Sequence, residues 1–374
     1  MGAPSEKWVS HLQNSTVAPL CCPRNGAGGV SRRADFVKLS EGYFLSTQDE
    51  GRRFETAMAK HGAVRGALEF ALVWPLLTAL TWLPLPAARL LAVTLASGLR
   101  LVTPRWRSVA RKNLETALPQ LDPVEREEII RGVYENLGRV VLSMARMPRL
   151  TPENISRWIE YDGFEHYQRA LEKGRGALFM TAHLGNWELS AFAHALFGNP
   201  MHVMVRPLDN PWLDRLVDRY RRLAGNQTIR KQDAGLKVLR ALRNNEAVGI
   251  LIDQNTTDRD HVFVDFFGHK ASASSAFVKF AQRSGAVVIP GFALWRPQVG
   301  KYMLKFYPPL EWNDSGDPGR DLVDNTQLCH SLLERVIREQ PEQWLWIHRR
   351  WKTQPEEATV TDRPARAASP KPVD

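Results

Sequence analysis

Ala177-Leu178-Phe179-Met180-Thr181-Ala182-His183-Leu184-Gly185-Asn186-Trp187-Glu188 is the stretch that decides the fold. Ala177 to Thr181 reads as a short apolar strand that ends at His183, and Trp187 to Leu196 reads as a helix. The same strand-then-helix text recurs downstream. His202–Val205, Ala247–Ile252, Val287–Leu294 and Tyr302–Phe306 read as further strands. Asn210–Leu223, Gly235–Asn244, Ser272–Ser284 and Asn325–Glu339 read as helices between and after them. Alternation of this kind predicts an α/β domain with a mostly parallel central sheet flanked by helices.

Upstream the text changes. From Arg105 the chain reads helical, with Ala110, Leu114, Ala117 and Leu118 at three- and four-residue spacings. A second helix is predicted to open at Pro123, with Asp122 as its N-cap, and to run through Met144. Phe70 to Ala88 carries no formal charge, and a second apolar run, Leu90 to Leu99, ends at Arg100. The first run is long enough to reach across a bilayer as a helix, but Pro75, Pro84 and Pro86 interrupt it, so a shallow hairpin or an interfacial helix is an equal expectation. Residues 1–57 show no sustained period and read as a disordered extension, or as residues ahead of a working start at Met58. The resulting division is 1–57 extension, 58–104 membrane-associated apolar segment, 105–353 catalytic domain and 354–374 disordered tail rich in Pro, Ala, Thr and charge.

Charge and cysteine usage narrow the class. The 374 residues carry 50 Lys and Arg against 40 Asp and Glu, a formal balance of +10, which implies anionic partners. No nucleic-acid-binding module accompanies that charge, and twelve Trp suit a lipid interface or a ligand site better. Cys21, Cys22 and Cys329 form neither a disulfide framework nor a zinc pair. His166, His183, His194 and His202 do not make a His-x-x-x-His or His-Glu-x-x-His metal site, and no glycine fingerprint for a nucleotide cofactor is present.

Ligands in open α/β sheets sit beyond the carboxyl ends of the strands. Four polar signals fall there: His183, Arg206, Asp253 and Gln254. If the helix after His183 starts near Asn186, Glu188 in its first turn can fold back and accept a hydrogen bond from the ring. That would fix the tautomer and leave the other ring nitrogen as a base. No Gly-x-Ser-x-Gly elbow supplies a nucleophile, so such a base would act on a substrate hydroxyl, or on water as in a thioesterase. Taken alone, the pair reads more readily as a histidine closing a turn and a carboxylate placed at a helix N-terminus by the dipole. Arg215, Arg219, Arg221 and Arg222 share one predicted helix, either as a solvated face or as a docking surface for an acidic partner.

His183-x-x-x-x-Glu188 resembles the His-x4-Asp/Glu motif of glycerolipid-type acyltransferases. The wider text resembles the lipid A late acyltransferases, the lauroyl and myristoyl transferases of the bacterial inner membrane. The likeness runs through Val205-Arg206-Pro207-Leu208-Asp209-Asn210-Pro211, Ile252-Asp253-Gln254 and Phe266-Phe267-Gly268 to Glu342-Gln343-Trp344-Leu345-Trp346-Ile347-His348-Arg349-Arg350-Trp351-Lys352, covering about residues 65–353. The resemblance implies transfer of an acyl chain from acyl carrier protein (or coenzyme A) to a hydroxyl of a membrane lipid acceptor. It implies no cofactor, no metal and no nucleic acid, and places a catalytic domain on the cytoplasmic side of the inner membrane. By that likeness His183, Glu188 and Arg206 are catalytic, with His183 as base and Glu188 as its orienter. Asn186, Arg230, Asp253 and Gln254 are substrate-binding. His183-Leu184-Gly185-Asn186-Trp187-Glu188 also resembles relatives that acylate other glycolipids, including phosphatidylinositol mannosides, so the acceptor follows less firmly than the reaction.

Overall fold

In the computed structural model, residues 48–355 are described. The chain divides into two compact units, residues 1–55 and 56–374. Of the first, the described part is the beginning of helix α1, Gln48–His61. Residues 48–57, expected to belong to an unorganised extension, are therefore helical. Few apolar positions mark this helix, which ends on Lys60 and His61, cations suited to a helix C-terminus. The rest of the expected extension (1–47), and the expected tail from 356 onward, lie outside the described residues.

Two apolar helices follow, α2 (Ala63–Trp82) and α3 (Leu85–Val102), separated by Leu83 and Pro84. The break is the one the prolines predict, because Pro84 cannot donate to a continuing helix. Helix α4 (Pro104–Ala117) leads to α5 (Pro123–Arg146), whose N-terminus is a full capping box between Asp122 and Glu125. Small residues let α3 lie against α5. A side chain at Gly138 would meet the Ala92 carbonyl oxygen at 2.8 Å. The end of α2 is fastened where Thr81 donates to the Ala145 carbonyl at 2.7 Å and Arg149 donates to the Thr81 carbonyl at 2.8 Å.

The remaining elements form a seven-stranded sheet and its covering helices. In chain order they are β1 (Ile159–Asp162), α6 (Phe164–Glu172), β2 (Ala177–Thr181), α7 (Trp187–Leu196), β3 (His202–Val205), α8 (Pro211–Arg222), β4 (Gln227–Arg230), α9 (Ala234–Arg243) and β5 (Ala247–Leu251). A two-stranded hairpin, β6 (His261–Phe266) and β7 (His269–Ser274), precedes α10 (Ala276–Ser284), β8 (Val287–Arg296), β9 (Lys301–Phe306) and α11 (Pro318–Glu339). The strand order is β1-β9-β8-β2-β5-β3-β4. Every neighbouring pair is parallel except β8 with β9. This is the mostly parallel α/β sheet expected, with β1, β4 and the hairpin added.

Strand β2 sits at the centre and is covered on both faces, as an unbroken apolar run requires. Leu178 and Met180 point into a core with Leu114, Val133, Val238 and Leu333, from α4, α5, α9 and α11. Ala177 and Phe179 point the other way, against Tyr167 of α6 and Leu189 and Phe192 of α7. The C-terminal segment after α11 is not a surface tail. Trp344, Trp346 and Arg350 are all but fully buried, and Asn113 donates to the carbonyls of Trp346 and His348 at 2.7 and 2.6 Å.

Candidate active site

Strands β2 and β5 pair in register, Thr181 opposite Leu251. Two residues beyond each strand end therefore stand side by side, and these are His183 and Asp253. The Asp253 carboxylate accepts from the His183 ring Nδ1 at 3.0 Å and from the His183 backbone amide at 3.1 Å. It accepts a third hydrogen bond, at 2.9 Å, from the indole Nε1 of Trp344. Burial pushes the Asp253 carboxyl up, but His183 and Trp344 outweigh that and hold it at about 2. An ionised carboxylate only accepts, so Nδ1 carries a proton, and in the neutral ring Nε2 is then the nitrogen with the lone pair. Gln254 lies 3.5 Å from that Nε2, too far to occupy it. Among the described residues, no Ser, Thr or Cys side chain hydrogen-bonds to His183.

The turn that delivers His183 is built by Gly185 and Asn186. Gly185 has φ +63°, and a Cβ there would lie 1.9 Å from the Ala293 carbonyl oxygen. Only glycine permits that approach to β8. Asn186 accepts from the Leu189 amide at 3.0 Å as the N-cap of α7 and donates to Ser143 at 2.8 Å. On the other side, Leu345 donates its amide to the His183 carbonyl at 3.0 Å. The buried Trp-rich segment thus grips both His183 and its carboxylate.

Glu188 is placed differently from the sequence expectation. It lies on the cavity wall, but its carboxylate is held by Arg221 of α8, with Nε to oxygen at 2.9 Å and a second bond at 2.5 Å. The hydrogen bond to the His183 ring expected of Glu188 is made by Asp253. The reason is register: β2 and β5 bring Asp253 directly alongside, while the helix turns Glu188 toward α8. The pairing also takes Arg221 out of the expected arginine face, and Arg222 pairs with Asp218 at 3.1 Å.

His183, Glu188, Arg206 and Gln254 line one cavity of about 590 Å³. Its other walls are largely apolar, including Val203, Leu251 and Phe277. Arg206 is exposed at the rim and makes no hydrogen bond or ion pair among the described residues. Three of the four expected binding residues do not line the cavity: Asp253 is buried behind His183, where the bonds described above occupy it, and two others stand elsewhere. Asn186 is fully buried behind the turn, where capping and the Ser143 bond occupy it. Arg230, at the end of β4, pairs with Asp214 at 3.3 Å and does not line the cavity. Trp344 was missed as a site residue, although its Trp-rich block was legible. An indole within that block can donate to a buried carboxylate, but the sequence does not show which one. His348 also comes close. Its Nε2 accepts from the Asn255 amide at 2.9 Å, and burial pushes the ring down to about 4, so it is neutral near pH 7.

Beyond the rim, Asn210 caps α8 and donates to the Gly66 carbonyl at 3.0 Å and to Glu69 at 2.8 Å. The mouth of the cavity is thereby tied to α2.

The family profile described as bacterial lipid A biosynthesis acyltransferase matches residues 60–353. The lipid A biosynthesis lauroyltransferase of Escherichia coli K12 is 28% identical over 253 residues, covering 67% of this chain and 81% of that protein. The palmitoleoyltransferase of the same organism is 27% identical over 275 residues, covering 73% and 87%. A phosphatidylinositol mannoside acyltransferase of Mycobacterium tuberculosis is 25% identical over 251 residues, covering 64% and 76%.

Proposed function

Because the chain belongs to the bacterial lipid A biosynthesis acyltransferase family, we propose that it moves a fatty acyl chain from a thioester carrier to a hydroxyl of a lipid A precursor, with His183 as general base. The observation that carries this reading is the Nδ1 bond to Asp253, which leaves Nε2 as an acceptor at the cavity wall. The acceptor hydroxyl gives its proton to Nε2 as its oxygen attacks the thioester carbonyl carbon. The imidazolium that forms is stabilised by Asp253, which stays ionised throughout. Negative charge on the tetrahedral oxygen falls near the Arg206 guanidinium, a cation with no hydrogen-bond or ion-pair partner among the described residues. Collapse breaks the carbon–sulfur bond, and the leaving thiolate takes the proton back from Nε2. No acyl-enzyme is needed.

Acyl carrier protein is the donor in this reading, with coenzyme A as the alternative carrier. Membrane attachment is supported by α2 and α3, and the inner membrane with the catalytic domain on its cytoplasmic side completes this reading. Both helices are long and apolar and mostly unburied, and Val64, Leu68, Leu72 and Leu90 are well exposed. The Asn210 bonds join the segment next to the cavity rim to α2, which supports access for a lipid acceptor. The resemblance to the phosphatidylinositol mannoside acyltransferase supports a second acceptor class, another glycolipid, and a lysophospholipid is the further alternative. Mass spectrometry of lipids from cells lacking the chain separates the two. Loss of one acyl chain from lipid A is the expected result, whereas intact lipid A with loss from another glycolipid would replace the acceptor.

A further inference from the structure

The turn that carries His183 rests on one face of α5. Asn136 is buried there, and its side-chain amide donates to the Gly185 carbonyl at 2.8 Å and to the Gln343 carbonyl at 3.3 Å. The Gln343 carbonyl also accepts from the Gly185 amide at 3.0 Å. Asn136 therefore closes a knot between the catalytic turn and the segment that brings Trp344 to Asp253. Seven residues along, on nearly the same side of the helix, Ser143 accepts from the Asn186 side chain at 2.8 Å and donates to the Val140 carbonyl at 2.8 Å. Two positions of one helix thus hold two consecutive residues of the turn.

A clamp works only if its own support is fixed. Gly138 and Ala145 lie on the far side of α5, each two residues on and about 200° around from Asn136 and Ser143. There Gly138 sits against the Ala92 carbonyl of α3 with no room for a side chain, and the Ala145 carbonyl accepts from Thr81 of α2. Helix α5 is wedged between the apolar helices and the turn. The chemistry at Asn136 is specific as well. Two carbonyl oxygens converge on one end of its side chain, so that end must be the NH2 group and not the oxygen. The other end, Oδ1, is buried without a partner among the described residues. Such an orphan is unfavourable, and the hold on Gly185 and Gln343 is what offsets it.

Resting on the acyl-transfer reading, we infer that Asn136 and Ser143 are positioning residues for His183. Neither bonds to the His183 ring. They hold the backbone of Gly185 and the side chain of Asn186, and through that turn they set where Nε2 points into the cavity. The His183 amide and ring both reach Asp253, so a slackened turn loosens both bonds and misdirects the base.

The test compares Asn136→Leu and Ser143→Ala with Asn325→Leu in a steady-state assay, using a saturated acyl chain on acyl carrier protein as donor and a lipid A precursor as acceptor. Both kcat and KM are measured across pH, and thermal unfolding reports the folded fraction. Asn325 of α11 is the matched control. It is also a buried asparagine, and it bonds both backbone groups of Asn313, at 2.8 and 2.9 Å, with no bond to the turn. Asn325→Leu should lower the unfolding temperature and leave the kcat of the folded protein unchanged. Asn136→Leu should lower kcat by about 10²-fold, the loss expected of a base about 1 Å out of place, with KM for both substrates nearly unchanged. The acid limb of its pH–rate profile should move to lower pH, because a loosened Asp253 supports the imidazolium less. Ser143→Ala should show the same pattern to a smaller extent, and it decides the matter if Asn136→Leu does not fold. Wild-type kcat and pH profile in the folded Asn136→Leu and Ser143→Ala variants, or a kcat loss equal to that of Asn325→Leu, would overturn the inference. A wild-type protein that transferred no acyl chain would instead remove the acyl-transfer reading on which it rests.

Discussion

Asp253 stands 3.0 Å from the His183 ring nitrogen and also holds the indole of Trp344, so one buried carboxylate links the end of β2, the end of β5 and the C-terminal segment. A charge in that position is costly unless every acceptor site is used. The three donors make it stable, and they also fix where the imidazole points.

Trp344→Phe tests this link. It keeps the apolar bulk and removes one hydrogen bond to a buried charge, a loss of about 1.5–3 kcal/mol. Unfolding in denaturant should show the destabilisation. The acid limb of the pH–rate profile should also move, because the carboxylate that supports the imidazolium is less well held. A variant that lost stability with an unmoved pH profile would confine Trp344 to packing.

Glu188 and Arg221 form a second buried pair, and their removal has a different signature. Deleting one member leaves an uncompensated charge, costing about 3–5 kcal/mol. Glu188→Ala should therefore lower the thermal transition strongly, and a double variant, Glu188→Gln with Arg221→Met, should recover much of the loss. Calorimetry of the three proteins checks this. No recovery in the double variant would mean that Glu188 acts through something other than Arg221.

Acid should destabilise the protein above the range in which carboxylates titrate. Burial pushes His330 and His348 down to about 4, and His194 down to about 3, from an ordinary 6.5. Between about pH 6.5 and 4 the unfolded chain binds protons that the folded chain does not, so stability falls as pH falls through that window. Each histidine contributes up to about 1.4 kcal/mol per pH unit. Asp253 acts in the same direction lower down, because its depressed carboxyl loses its contribution as pH drops from 3.8 toward 2. Chemical denaturation at successive pH values should show the decline beginning near pH 6.5. A flat profile down to pH 4.5 would contradict the buried neutral histidines.

Arg206→Ala should reduce kcat by about 10²–10³-fold if the guanidinium meets the developing oxyanion. Arg206→Lys should recover part of it, since a point charge remains but the paired donors do not. A rise in KM for the acceptor alone, with kcat preserved, would assign Arg206 to an acceptor phosphate.

Much of this architecture was legible in the residues. The apolar runs named β2, β3, β5, β8 and β9, and Asp122 with Pro123 marked the start of α5. The strand ends put His183, Arg206 and Asp253 on one edge of the sheet. Which carboxylate faces His183 was not legible, because it depends on β2 and β5 being neighbours in register, a contact seventy residues apart in sequence. Local spacing favoured Glu188, five residues along, and could not see Arg221 drawing it away. The hairpin was hidden for a related reason. His269-Lys270-Ala271-Ser272-Ala273-Ser274 lacks strand-forming bulk and becomes a strand by pairing with β6, so the helix expected from Ser272 begins at Ala276 instead.

The most direct test is a steady-state transfer assay comparing His183→Ala, Asp253→Asn and Glu188→Gln, with folding verified for each. The account predicts that the first two lose on the order of 10³–10⁴-fold in kcat, while any folded Glu188→Gln keeps most of its turnover. Near-normal turnover in Asp253→Asn, with collapse in a folded Glu188→Gln, would contradict it.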